Sequence, residues 1–131
     1  MSIEAYLTLD TTRKAAADLS AKQFFFVKLD SSGNVALCTG ATDKPYGILQ
    51  DKPNAAGVGC VVARCGIGKV SAAAGNTQGN VGGTDANGQF AAYVFGTDTT
   101  KYICAEVVED SDAANGLCSV SFSCFCPPRG A

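Results

Sequence analysis

The sequence predicts an all-β domain: a small antiparallel β-barrel or sandwich with an extended N-terminal arm and a short C-terminal tail. Three observations carry that expectation. Apolar runs are short and are separated by turn signals about every ten residues. The composition, with 15 glycines, many alanines and few long side chains, suits short strands and tight turns better than long helices. The run from Leu117 to Cys126 alternates cleanly, with Cys118, Val120, Phe122, Cys124 and Cys126 on one face and Ser119, Ser121 and Ser123 on the other. That is the pattern of a strand with one buried and one wet face.

The elements follow in order. Residues 1–20 are mixed and polar, with a helix-compatible run from Arg13 to Leu19, and read as an arm or peripheral element. Gln23 to Leu29 is aromatic and β-branched, Asp30 to Asn34 is a turn, and Asn34 to Cys38 is the returning strand. Asp43-Lys44-Pro45 breaks the chain before a short strand at Tyr46 to Gln50. Val58 to Cys65 is a further strand, continued after a glycine kink through Gly66 to Val70. Residues 71–83, rich in Ala, Gly, Asn and Gln, are expected as a long loop. Thr84-Asp85-Ala86-Asn87-Gly88 ends in a hairpin signal. Gln89 to Phe95 and Tyr102 to Glu109 follow as strands, with a turn at Asp110 to Gly116 before the alternating run. The Pro127-Pro128 tail cannot continue a central strand and is expected to be extended and exposed.

At 131 residues the chain fits one domain, divided here as arm 1–16, β-rich body 17–123 and tail 124–131. A hydrophobic content of 47% argues against global disorder. Net charge is −2 and the ten basic residues are scattered, so no basic stripe points to nucleic acid. Glu106, Glu109, Asp110 and Asp112 form a locally acidic stretch, read as a solvated strand end and turn. The first ten residues carry Glu4 and lack a basic start and an apolar run, so synthesis in a cytosol is expected. No stretch approaches a membrane span of about 20 apolar residues.

Seven cysteines and no histidine limit the chemistry. Histidine is the usual proton shuttle and the commonest metal ligand at neutral pH, so a cysteine–histidine nucleophile is excluded. Gly66-Ile67-Gly68-Lys69 fails the phosphate-loop pattern because Val70 stands where a hydroxyl is required and no glycine stands five residues before Gly68. It fails the dinucleotide fingerprint as well, since no long helix follows. The spacings Cys60–Cys65 and Cys124–Cys126 fit structural zinc poorly. Within one strand Cys60 and Cys65 would lie on opposite faces. No cofactor, metal or catalytic residue is assigned.

The bland reading of Cys38, Cys60, Cys104 and Cys118 is a small buried hydrophobe. Cys124 and Cys126 stand beside the Pro-Pro tail, where exposed thiols invite use. Seven cysteines cannot all pair within one chain. All seven, Cys65 included, are therefore candidates for disulfides within or between subunits.

Ala17-Asp18-Leu19-Ser20-Ala21-Lys22-Gln23-Phe24, then Val27-Lys28-Leu29-Asp30, Lys44-Pro45-Tyr46-Gly47-Ile48-Leu49-Gln50-Asp51-Lys52-Pro53, Gly66-Ile67-Gly68-Lys69-Val70 and Thr84-Asp85-Ala86-Asn87-Gly88-Gln89 occur in that order. Together they resemble the capsid decoration, or cement, proteins of tailed bacteriophages, over roughly residues 17–123. The order of segments carries the likeness more than any one motif. The resemblance implies a β-rich domain that binds the outer surface of an assembled icosahedral capsid, with the major capsid protein as partner. It further implies self-association, often as a homotrimer, residence on the virion, and no enzymatic activity. Such proteins are commonly cysteine-poor, so the cysteines and the 124–131 tail depart from the pattern and point to an added covalent attachment. Under this reading Tyr6, Leu7, Phe25 and Arg129 are candidate interface residues, and the arm is expected to order on the shell. Rival readings are a small redox or metal-binding protein and a tail-associated β module.

Overall fold

Nine strands form among the described residues, which are 4–94, 96–110 and 116–129 of the computed structural model. They are β1 (Ala5–Asp10), β2 (Phe26–Leu29), β3 (Val35–Leu37), β4 (Gly47–Leu49), β5 (Val62–Ser71), β6 (Val81–Thr84), β7 (Phe90–Ala92), β8 (Ala105–Glu109) and β9 (Leu117–Ser123). All pairings between these strands are antiparallel. The sheet runs β3-β2-β4-β5-β9-β8-β6-β7, with β1 laid against β5, and curls into a half-barrel. The antiparallel all-β class expected from turn spacing is the class observed.

Strand parity divides the core. Phe26, Ile48 and Ala63 face a cluster with Val70, Phe90, Val107, Val120 and Phe122. Their chain neighbours Val27, Leu49 and Val62 face a second cluster with Ala15, Leu19, Val35 and Cys60. Successive strand residues point to opposite faces, so this end of the sheet is buried on both sides. In the triple phenylalanine run, Phe26 is fully buried, Phe24 packs on the larger cluster, and Phe25 is half-buried with Lys22 above its ring.

Several expectations are corrected. The run 13–19 forms no helix. Lys14 bridges Gly59 and Ala15 bridges Val35, and burial of Ala15 and Leu19 holds the segment extended. The two strand segments expected over 58–70 are one strand that begins later, at Val62, because the chain before it bonds to turn and arm carbonyls instead. The loop expected over 71–83 contains β6. Glycine there serves close approach: a Cβ on Gly82 would lie 2.0 Å from the carbonyl oxygen of Ala91 in β7. Cys126 does not follow Cys118, Val120, Phe122 and Cys124 into the core, because β9 ends at Ser123 and the chain turns with Cys126 at φ 51°. Ser119, expected on the wet face, is buried. Pro128 and Arg129 are exposed as expected, yet the tail is tied down: Ile103 N–H donates to Pro128 O at 2.7 Å, Tyr102 bridges Arg129, and Pro127 is buried. Phe95, expected to end a strand, and most of the expected 110–116 turn lie outside the described residues.

Candidate functional site

Arg64 is held by hydrogen bonds and by aromatic rings at once. It stands near the start of β5, between the chain entering β4 and the chain leaving β9. Its Nε donates to Tyr46 O at 2.9 Å and its Nη2 to Cys124 O at 3.0 Å. Its guanidinium carbon lies 3.8 Å from the centroid of the Tyr46 ring and 4.5 Å from that of Phe125. Two aromatic faces and two carbonyls thus fix one cation, an arrangement suited to arginine's planar fork and not to lysine. Cys124 N–H in turn donates to Arg64 O at 2.8 Å, which locks the end of β9 to β5.

Beside this cation opens a cavity of about 380 Å³ lined by Leu29, Lys44, Pro45, Tyr46 and Arg64. The Tyr46 hydroxyl donates to Asp10. Asp10 also accepts from the Thr12 hydroxyl and backbone N–H, and Arg13 stands 3.9 Å away. The Thr12 hydroxyl, the Tyr46 hydroxyl and the Thr12 N–H, helped by Arg13, lower the Asp10 carboxyl to about 2 against a smaller opposing effect of burial. Tyr46 is therefore gripped at its ring by Arg64 and at its hydroxyl by Asp10.

The cysteines divide by environment. Cys38, Cys104 and Cys124 meet in the larger core cluster, with the Cys104 and Cys124 thiols as neighbours. The neighbouring Cys124 thiol, with burial, pushes Cys104 well up. Burial, with Asp43 nearby, pushes Cys38 up to about 12. Burial likewise raises Cys118 to about 11 and lifts Cys60, with Asp51 adding to it. Such thiols stay protonated at neutral pH and are poor nucleophiles and ligands. Cys65 is half-buried on β5 and Cys126 is exposed, and all seven thiols are free. Among the described residues no group of three or more His, Cys, Asp or Glu is placed to hold a metal ion.

The four candidate interface residues lie on three separate segments of the chain. Tyr6 and Leu7 lie on β1, where the register with β5 shifts between Ala5 and Thr8. Tyr6 takes φ 55° and is 90% exposed, whereas Leu7 packs on the core. Phe25 sits in the turn before β2. Arg129 stacks 5.2 Å from the Tyr102 ring centroid. Sequence reasoning missed Arg64, Lys44, Tyr46 and Phe125 as a group. Arg64 and Phe125 are far apart along the chain, and only the β5–β9 pairing joins them.

No protein-family model matches the sequence, and no curated protein matches it. The fold is similar to that in the crystal structure of the head fiber gp8.5 N base in bacteriophage phi29. The TM-score is 0.60 at 14% sequence identity, covering 91% of this chain and 96% of that chain. At that identity the likeness establishes a shared fold.

Proposed function

We propose that this chain is a structural protein of a phage head that binds the outer surface of the assembled icosahedral capsid as a cement or decoration protein. The observation that carries the reading is the fold shared with a phage head fiber base over nearly the whole of both chains. The ordered sequence segments that resemble decoration proteins point the same way, independently of the fold. The partner in this reading is the major capsid protein. The chain self-associates as a homotrimer on the virion and carries no enzymatic activity. Many modest contacts repeated over a closed symmetric shell supply the avidity. Tyr6 is the natural first contact, being a large aromatic ring held almost fully in solvent by a strained backbone.

The experiment is co-sedimentation of purified protein with undecorated capsids, with molar mass from light scattering. Saturable binding by a trimer is the expected result. Absence of binding in both reduced and oxidised protein overturns the reading, and immunogold labelling confined to tails would move it to the tail.

A covalent bond between subunits is also proposed, through Cys126, the exposed thiol. Two thiols, one from each subunit, would pass two electrons and two protons to dioxygen and form one disulfide. Non-reducing gels of particles should show a linked species that Cys126→Ser abolishes.

A further inference from the structure

We propose that the cavity between Lys44 and Arg64 is a carboxylate-binding site that takes an acidic side chain of a protein partner. Among the described residues neither Lys44 nor Arg64 makes an ion pair with a carboxylate, although the chain as a whole is acidic. The neighbouring acid Asp43 is already committed, to Lys28 at 2.9 Å. Asp10, beyond Tyr46, is engaged by the Tyr46 and Thr12 hydroxyls and faces Arg13. Among the described residues no carboxylate lines the cavity.

The Arg64 guanidinium has five N–H groups, and its two bonds to Tyr46 O and Cys124 O leave the others without a partner among the described residues. Because ring stacking and those two carbonyls already fix its plane, little further ordering is lost when a ligand docks. A fixed planar fork matches the two oxygens of a carboxylate. Leu29, Pro45 and Tyr46 offer apolar walls for the methylene stem behind that carboxylate, and Lys44 stands exposed as a second cation. A phosphate site is ordinarily built from converging backbone N–H groups at a helix N-terminus or nest. Here the two fixed backbone groups beside Arg64 are carbonyls, which repel an anion and confine it to the cation's free edge.

The proposal deepens the reading of a shell-binding protein and depends on it only for the partner's identity. Hexaglutamate peptide titrated into the intact chain, followed by NMR, tests the site itself. The expected result is saturable binding, with shifts centred on residues 44–46 and on the Arg64 Nε–H, and weakening in high salt. Lys44→Glu, an exposed substitution, should weaken the peptide by at least about fivefold. Shifts scattered over the surface, undiminished binding by the variant, or inorganic phosphate binding as tightly as the peptide would each overturn the carboxylate assignment. Arg64→Lys keeps the charge but loses the fork, and should weaken binding with little change at Lys44. On particles, loss of binding by Lys44→Glu where wild type binds supports the site as a shell contact, and equal binding overturns that contact while leaving the shell-binding reading intact. If wild type itself does not bind particles, the shell-binding reading falls and the peptide titration alone decides the cavity.

Discussion

At Asp10, hydrogen bonds from Thr12 and Tyr46 stabilise the charged carboxylate in the folded chain, so its protonation is linked to folding. A carboxyl lowered from 3.8 to about 2 on folding contributes stability that is present above its ordinary value and is lost as pH falls through about 2. Thermal unfolding of Asp10→Asn should therefore lie below wild type at neutral pH, and the gap should close over the acid range. A gap that is unchanged at pH 2 would show that Asp10 acts by packing alone. A second expectation at this scale concerns thiols. Cys126 should alkylate rapidly in the native protein, whereas Cys38, Cys118 and Cys124, each 0% exposed, should wait for unfolding. Mass spectrometry of iodoacetamide-treated protein reads the order directly. The core role of Cys38, Cys60, Cys104 and Cys118 was legible because cysteine behaves as a small hydrophobe on an apolar strand face. The thiol contact between Cys104 and Cys124 was not, since parity along one strand says nothing of what lies opposite.

The strand pair β1–β5 shows two residues shaped by each other. Gly66 takes φ 125°, and a Cβ there would come 2.4 Å from Tyr6 O. Tyr6 in turn bulges out at φ 55°. Gly66→Ala should cost about 2 kcal/mol or more in chemical denaturation, because both the backbone conformation and the contact forbid a side chain. Tyr6→Gly should do the opposite and stabilise the isolated chain by up to about 1 kcal/mol, by relieving the left-handed strain. Under the proposed function it should also weaken capsid binding, the trade expected when strain serves a contact. A destabilised Tyr6→Gly would show that the ring supports the fold. Gly66 stood out in the sequence as a glycine inside a strand pattern, although β5 runs through it unbroken. Its partner Tyr6 did not, because the bulge exists only once β1 lies against β5. The tail carries a similar lesson. A double proline signals that a strand stops but not that Ile103 will bond to Pro128 O. Truncation after Ser123 removes Cys124 from the core and Phe125 from Arg64, and should lower the melting temperature by several degrees.

For the whole molecule, seven free thiols mean that the isolated chain is held by its core and sheet and not by crosslinks. Reductant should leave its melting temperature unchanged, which differential scanning calorimetry checks; a clear drop would reveal a disulfide within the chain. By itself the sequence determined the all-β class, most turn positions and the buried face of β9, since each follows from local periodicity and turn chemistry. It also excluded histidine chemistry outright. Tertiary structure alone decided that β6 arises from a glycine-rich stretch, that β1 joins β5, and that Arg64 is clasped by Tyr46 and Phe125 beside an uncompensated cavity. The physical reason is the same in each case: those features depend on which backbone approaches which across the sheet. A linear pattern records which residues are fit for a strand, not which neighbour will complete it.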